Sequence, residues 1–318
     1  MANPIIELNR LTKKYGDFKA VNELDLTVNK GEIFGLLGPN GAGKTTTILM
    51  MMGLTDPSSG TARVCGFNAT KDPLSVKRLV GYMPDSVGFY DTMTALENLM
   101  YVGELNGIPR SEVEERALAT LELVGLSGEA IHKKTAAYSR GMKQRLGLAE
   151  VLIKDPEVII LDEPTLGIDP SGVKEFLGLI LHLSREKGLT VLLSSHHLHQ
   201  VQQVCDRVGI FVKGELLAEG TLDTLSNRIF AEKSFEVHVN LENAIDLPWK
   251  DEAEMRQLEA VQQVRVQGQV IEVISSKDLT PAIVRFFVHK GYDVSGVQKK
   301  EYGLEEIYEK YFEKNLTE

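Results

Sequence analysis

The chain has 318 residues, with 35 Lys+Arg against 45 Asp+Glu and a formal net charge of −10. That length supports two domains and a substantial core, and the acidic balance argues against a general nucleic-acid binder, which carries a basic excess. Cys65 and Cys205 lie far apart with no C-x-x-C, which argues against a disulfide framework or zinc site and fits a reducing cytosol.

The first ten residues lack a signal-peptide layout. No stretch approaches the roughly 18 uninterrupted apolar residues of a membrane span, so action at a membrane requires a partner. Alternating apolar positions predict strands over Ile5–Leu11 and Phe18–Val28. The turn Asn29-Lys30-Gly31-Glu32 leads into an apolar strand over 33–37. Short strands follow at Thr61–Val64 and at Val80–Met83, the latter ended by Pro84. Thr94 with Glu97 forms a capping box that opens a helix to about Asn106, and Ser111 with Glu114 repeats the signal for a helix to about Val124. Helices are expected from Ser139 to Ile153 and from Ser171 to Lys187, with buried strands at Val158–Leu161 and Thr190–Leu193. This strand–helix alternation predicts an α/β fold with a mostly parallel sheet.

The pattern changes after about residue 228. A strand at Phe235–Asn240, a helix at Glu252–Leu258 and a hairpin Val261–Val266/Val270–Ser275 come first. A helix at Leu279–His289, a strand at Val294–Lys299 and a last amphipathic helix at Gly303–Lys314 complete the chain. The order β-α-β-β-α-β predicts a small α+β domain of split βαβ type. The expected organisation is therefore a domain over 1–228, with a helical subdomain over about 86–155, and an accessory domain over 229–318.

Between the third strand and the first helix runs Gly38-Pro39-Asn40-Gly41-Ala42-Gly43-Lys44-Thr45, followed by Thr46. The spacing G-x-x-x-x-G-K-[ST] is that of a phosphate-binding loop. Glycines let backbone N–H groups turn around a phosphate, and the following helix points its positive end at the anion. Lys44 supplies charge for the β- and γ-phosphates, and the Thr45 hydroxyl can bind Mg²⁺. The strand Val158–Leu161 ends in Asp162-Glu163. In such a fold the first carboxylate can hold Mg²⁺, and the second can act as general base toward an attacking water.

Three further stretches complete a set that resembles the nucleotide-binding subunit of ATP-binding cassette (ABC) transporters. Tyr138-Ser139-Arg140-Gly141-Met142-Lys143-Gln144-Arg145 looks like the family's signature loop, Thr165-Leu166-Gly167-Ile168-Asp169-Pro170 like its D-loop, and Leu193-Ser194-Ser195-His196 like its switch histidine. The resemblance spans about residues 5–225. It implies a phosphate-loop ATPase fold with a mixed sheet and helical subdomain, ATP and Mg²⁺ as cofactors, and two cassettes that sandwich two ATP molecules. Each γ-phosphate would be clamped between one chain's phosphate loop and the other chain's Ser139 and Gly141. His196 would contact the γ-phosphate and orient water with Glu163.

Tyr15 matches the family's adenine-stacking aromatic, and it also fits an amphipathic edge strand. His197 and His199 have no converging Cys or carboxylate cluster and read as surface or capping residues. Two departures stand out. Asp85 stands where the family usually has a Mg²⁺-binding Gln, and the signature loop has Arg140 in place of a first glycine and Met142 in place of Gln. These variants resemble the branch serving drug, sodium and polysaccharide exporters. The resemblance therefore implies a transport-coupled ATPase on the inner face of the membrane, bound to a separate membrane-spanning permease that touches the surface around Asp85. Phe89, Tyr90 and Met93 there read equally as interface or as core. The competing expectation is a soluble ABC ATPase with a regulatory role. Translation relatives carry two cassettes and repair relatives a long coiled coil, and this sequence shows neither.

Overall fold

The computed structural model describes residues 4–229, 235–245, 248–299, 304 and 308. The chain divides into two compact units, Met1–Thr221 and Leu222–Glu318.

In the first unit, β1 (Pro4–Tyr15) and β2 (Phe18–Asn29) form a long antiparallel hairpin. β3 (Ile33–Leu37) leads through the glycine loop into α1 (Lys44–Met51). β4 (Ser59–Val64) and β5 (Phe67–Asn68) join the hairpin in a four-stranded sheet of order β2-β1-β4-β5. α2 (Pro73–Leu79) precedes β6 (Val80–Met83). The helical segment follows, with α3 (Ala95–Leu105), α4 (Arg110–Leu123), the short α5 (Glu129–His132) and α6 (Arg140–Leu152). β7 (Val158–Asp162), α7 (Pro170–Lys187), β8 (Thr190–Ser195) and α8 (Leu198–Gln202) come next. β9 (Arg207–Val212) and β10 (Glu215–Gly220) close the unit.

The second sheet has the order β10-β9-β3-β8-β7-β6 and is parallel except for β10. Every residue of β3, β7 and β8 is buried. Strands covered on both faces read as continuous apolar runs, which is why these three were visible in the sequence. Ile6, Leu11, Leu24, Phe34, Ile48, Met50, Ile160 and Phe211 form one core joining both sheets to α1.

Local signals fixed several helix ends. Thr94 caps α3 through the reciprocal capping box with Glu97. Asp169 caps α7 by accepting from the Gly172 N–H, and Gly188 ends that helix in a left-handed conformation. The Ser111 box does not form. α4 starts two residues earlier than that box implies, at Arg110, because Pro109 brings a preset φ and its carbonyl accepts from the Glu112 and Val113 N–H groups. Residues 207–220, unassigned from the sequence pattern, form the β9–β10 hairpin. Lys213 and Gly214 sit at its turn with φ of 49° and 84°, as a two-residue I′ turn requires.

The second unit begins with α9 (Leu222–Ile229). β11 (Phe235–Leu241), α10 (Glu252–Arg256), β12 (Val261–Gln267), β13 (Val270–Ser275), α11 (Thr280–His289) and β14 (Val294–Lys299) follow. The sheet order β12-β13-β11-β14, antiparallel throughout, is the split βαβ arrangement expected. Its core holds Val237, Val239, Ile271, Val273, Ile283 and Phe287, with Trp249 stacked on Phe287 at 5.6 Å. The helix expected over Gly303–Lys314 lies outside the described residues except for Leu304 and Tyr308.

Candidate functional site

Parallel register brings three loops to one edge of the second sheet. Leu37 of β3 lies beside Ser195 of β8, and Ser194 of β8 lies beside Asp162 of β7. The glycine loop, Asp162-Glu163 and Ser195-His196 therefore leave the sheet at the same carboxyl end, where ligands bind in open α/β sheets.

Gly43 begins α1 with φ of 104°, a conformation that only glycine adopts without strain. A Cβ there would sit 2.3 Å from the Ala20 carbonyl oxygen. No side chain caps α1, so its first amide N–H groups face the site, whereas Ser139 caps α6. Gly43→Ala is expected to lower the melting temperature of the first unit by about 4–8 °C, from about 2 kcal/mol of strain and clash. Calorimetry checks this; an unchanged transition would mean that the loop relaxes freely.

Lys44 is 5% exposed. Its Nζ donates to the Gly38 carbonyl at 2.7 Å and lies 3.3 Å from Glu163 Oε1. Thr45 Oγ1 donates to Asp162 Oδ2 at 2.7 Å, and Ser194 Oγ donates to the other Asp162 oxygen. Glu163 carries φ of 48°, a left-handed backbone rare for a long side chain. Its N–H donates to the Ser194 carbonyl at 3.1 Å, and its Oε2 lies 2.9 Å from His196 Nδ1. Glu163 Oε1 is buried and accepts no hydrogen bond among the described residues. A buried carboxylate oxygen within reach of only one ammonium group is suited to accept a proton from a ligand.

A cavity of about 370 Å³ opens between these groups and the β1–β2 turn. Asn40, Gly41, Gly43, Lys44, Thr45 and Thr46 line one side, and Asp85, Asp162 and Glu163 another. Tyr15, at the end of β1, is 53% exposed and presents its ring to the cavity rim beside Phe18. Phe18 was missed from the sequence; its signal was its place directly across the Gly16-Asp17 turn from Tyr15. Gly38 does not line the cavity. A Cβ there would lie 2.0 Å from the Phe211 carbonyl oxygen, so its small size serves the packing of the loop on β9.

Ser139, Gly141 and Asp169 lie elsewhere. They line a separate cavity of about 210 Å³ with Met142, Ile168 and Ser171. Ser139 Oγ accepts from the Met142 N–H at 3.3 Å. Within one chain the glycine loop and the Ser139–Gly141 loop thus line separate cavities. Arg140 reaches neither cavity: its Nε donates to the Leu166 carbonyl at 2.7 Å. His197 packs on His196, with ring centroids 3.9 Å apart, and burial followed by the charge of His196 holds its pKa below the usual value. Tyr90 is exposed and packs edge-on against Tyr101, while Phe89 and Met93 are half-buried, so none of the three is a core residue.

The family model described as "ABC transporter" matches residues 21–166. The bacitracin transport ATP-binding protein BcrA of Bacillus licheniformis is 38% identical over 306 residues, covering 96% of each chain. The linearmycin resistance ATP-binding protein LnrL of Bacillus subtilis (strain 168) is 39% identical, over 74% of this chain and 75% of its own length. A bacterial ABC transporter cassette solved as a dimer superimposes with a TM-score of 0.62 at 25% identity, covering 68% of this chain and 98% of its own. A phosphate loop, a carboxylate pair and a histidine converge at one sheet edge, a signature loop stands apart, and the similarity runs nearly end to end; the chain belongs to the ABC transporter family, as an ATP-binding, ATP-hydrolysing subunit.

Proposed function

We propose that this subunit drives an exporter by hydrolysing ATP in a site shared by two cassettes, bound to a separate membrane-spanning permease. The observation that carries the shared site is the separation of the Lys44 cavity from the Ser139–Gly141 cavity. One chain holds the phosphates, and a second chain must bring the signature helix to close over them. Tyr15 stacks on adenine, assisted by Phe18. The phosphate-loop amides, Lys44 and Thr46 hold the triphosphate. Thr45 and Asp162 are hard oxygen donors already paired to each other, and with Asp85 they fit Mg²⁺. The metal supplies charge neutralisation on the phosphate oxygens. Glu163 takes a proton from the attacking water, and His196 holds the carboxylate in place through Nδ1.

Export rests on the relatives whose names attach to antibiotic transport and resistance. The same names favour transport over a regulatory role away from membranes. Among the described residues no helix is long and apolar enough to cross a membrane. In this reading a permease holds the subunit at the inner face of the membrane. A cavity of about 190 Å³ between the end of β6 and helices α3 and α6 borders Pro84, next to Asp85, and supports a contact there.

Fractionation of cells expressing the tagged chain tests the partner. The chain is expected in the membrane fraction when its membrane-spanning permease is co-expressed, and in the soluble fraction otherwise. A soluble chain in both cases would contradict the proposal. Asp85→Gln is expected to move the midpoint of Mg²⁺ activation by about threefold to tenfold, because Gln is neutral and longer. An identical Mg²⁺ titration would remove Asp85 from the metal site.

A further inference from the structure

Arg140 stands at the first position of α6, where a glycine would be expected, and its side chain crosses to the turn after Glu163. Its Nε donates to the Leu166 carbonyl at 2.7 Å. The guanidinium lies so close over Gly167 that a Cβ there would come within 2.7 Å of Nε. The same turn continues to the catalytic carboxylate. The Leu166 N–H donates to the Glu163 carbonyl at 3.1 Å, and the Ile168 N–H donates to the Thr165 carbonyl at 3.2 Å. Thr165 Oγ1 bonds Gln200 of α8 on the far side. Glu163 itself is strained, and a strained residue keeps its conformation only where its surroundings over-determine it. Ser194 holds the turn at its start and Gln200 at its flank. Among the described residues, Arg140 is the side chain that hydrogen-bonds it to the helical segment.

We propose that Arg140 is a positioning residue that couples the start of α6 to the Glu163 backbone through Leu166. Contact at the Ser139–Gly141 edge by a second subunit then bears on the orientation of the base in this one. The bond chain Arg140–Leu166–Glu163–His196 carries that coupling. An arginine suits the task because its planar fork fixes the direction of the Nε–H, which a lysine ammonium on a flexible stem does not. This inference rests on Glu163 being the general base and on the paired cassettes proposed above.

The test uses the full chain, steady-state ATP turnover, and equilibrium binding of a fluorescent ATP analogue to wild type, Arg140→Ala and Arg140→Lys. Arg140→Ala is expected to lower kcat about tenfold, with KM and the analogue's Kd within about twofold. Arg140→Lys is expected to fall equally, and both variants to melt within about 2 °C of wild type, since Arg140 is exposed. An unchanged kcat in Arg140→Ala overturns the inference. So does a raised KM that Arg140→Lys restores, because that pattern belongs to a charge contact with phosphate. Glu163→Gln with Arg140 intact separates the two levels. If it retains turnover, the base assignment itself has failed. If it is inactive while Arg140→Ala is silent, only the coupling has failed.

Discussion

Replacing Glu163 by Gln is expected to lower ATP turnover about 10²–10⁴-fold while leaving nucleotide binding intact. The loss corresponds to about 3–5 kcal/mol in the barrier. Gln keeps the shape of the side chain and can still meet His196 Nδ1, which lies 2.9 Å from Oε2 in the native site. It cannot accept a proton from water at neutral pH. Removing the carboxylate also removes a negative charge beside the phosphate-binding groups, 3.3 Å from Lys44 Nζ. Bound ATP is therefore repelled less and consumed slowly, so the nucleotide-closed dimer should accumulate. Single-turnover phosphate release and size exclusion with ATP measure the two effects together. Turnover within about threefold of wild type would assign the base to another residue, and a monomer under ATP would remove the composite site.

Lys44→Ala is expected to weaken ATP binding by about 10–100-fold, or about 1.4–2.8 kcal/mol for loss of a charge-assisted contact to phosphate. The nucleotide-free protein is affected too. Lys44 is nearly buried, bonds the Gly38 and Pro39 carbonyls, and faces Glu163, whose side chain is also buried. Truncating it leaves two carbonyls and a buried carboxylate short of a partner, which destabilises the glycine loop. Calorimetric titration gives the affinity, and a melting curve without nucleotide separates the structural part. Unchanged affinity would contradict the phosphate-loop assignment outright.

The parts of the site legible in the sequence were those encoded locally. The glycine loop needs glycine at a position of positive φ and a lysine at its helix start, so its spacing is fixed by backbone geometry. Asp162-Glu163 and His196 follow fully buried strands whose apolar runs point to where they end. Thr94 and Ser139 satisfy free amides within one turn and cap where the expected helices begin, whereas α7, expected from Ser171, starts at Pro170 with Asp169 as its cap. The exception is instructive. Ser111 carried the same pattern, but Pro109 two residues earlier preset the backbone and took over the cap. The β9–β10 hairpin had a usable signal in Lys213-Gly214, which went unread because no alternating polar face flanks an interior strand.

Sequence order thus determined which groups exist and the element that carries each, because loops, caps and buried strands answer to near neighbours in the chain. Tertiary structure decided which groups meet. The ion pair of Lys44 with Glu163 joins the start of α1 to the end of β7, the bond from Arg140 to Leu166 spans the helical segment and the turn before α7, and Phe18 joins the rim beside Tyr15 through hairpin pairing. It also kept the Ser139 edge and Lys44 in separate cavities within one chain. Such contacts depend on strand order and helix packing, which hydrophobic burial sets over the whole fold and no short window of residues encodes.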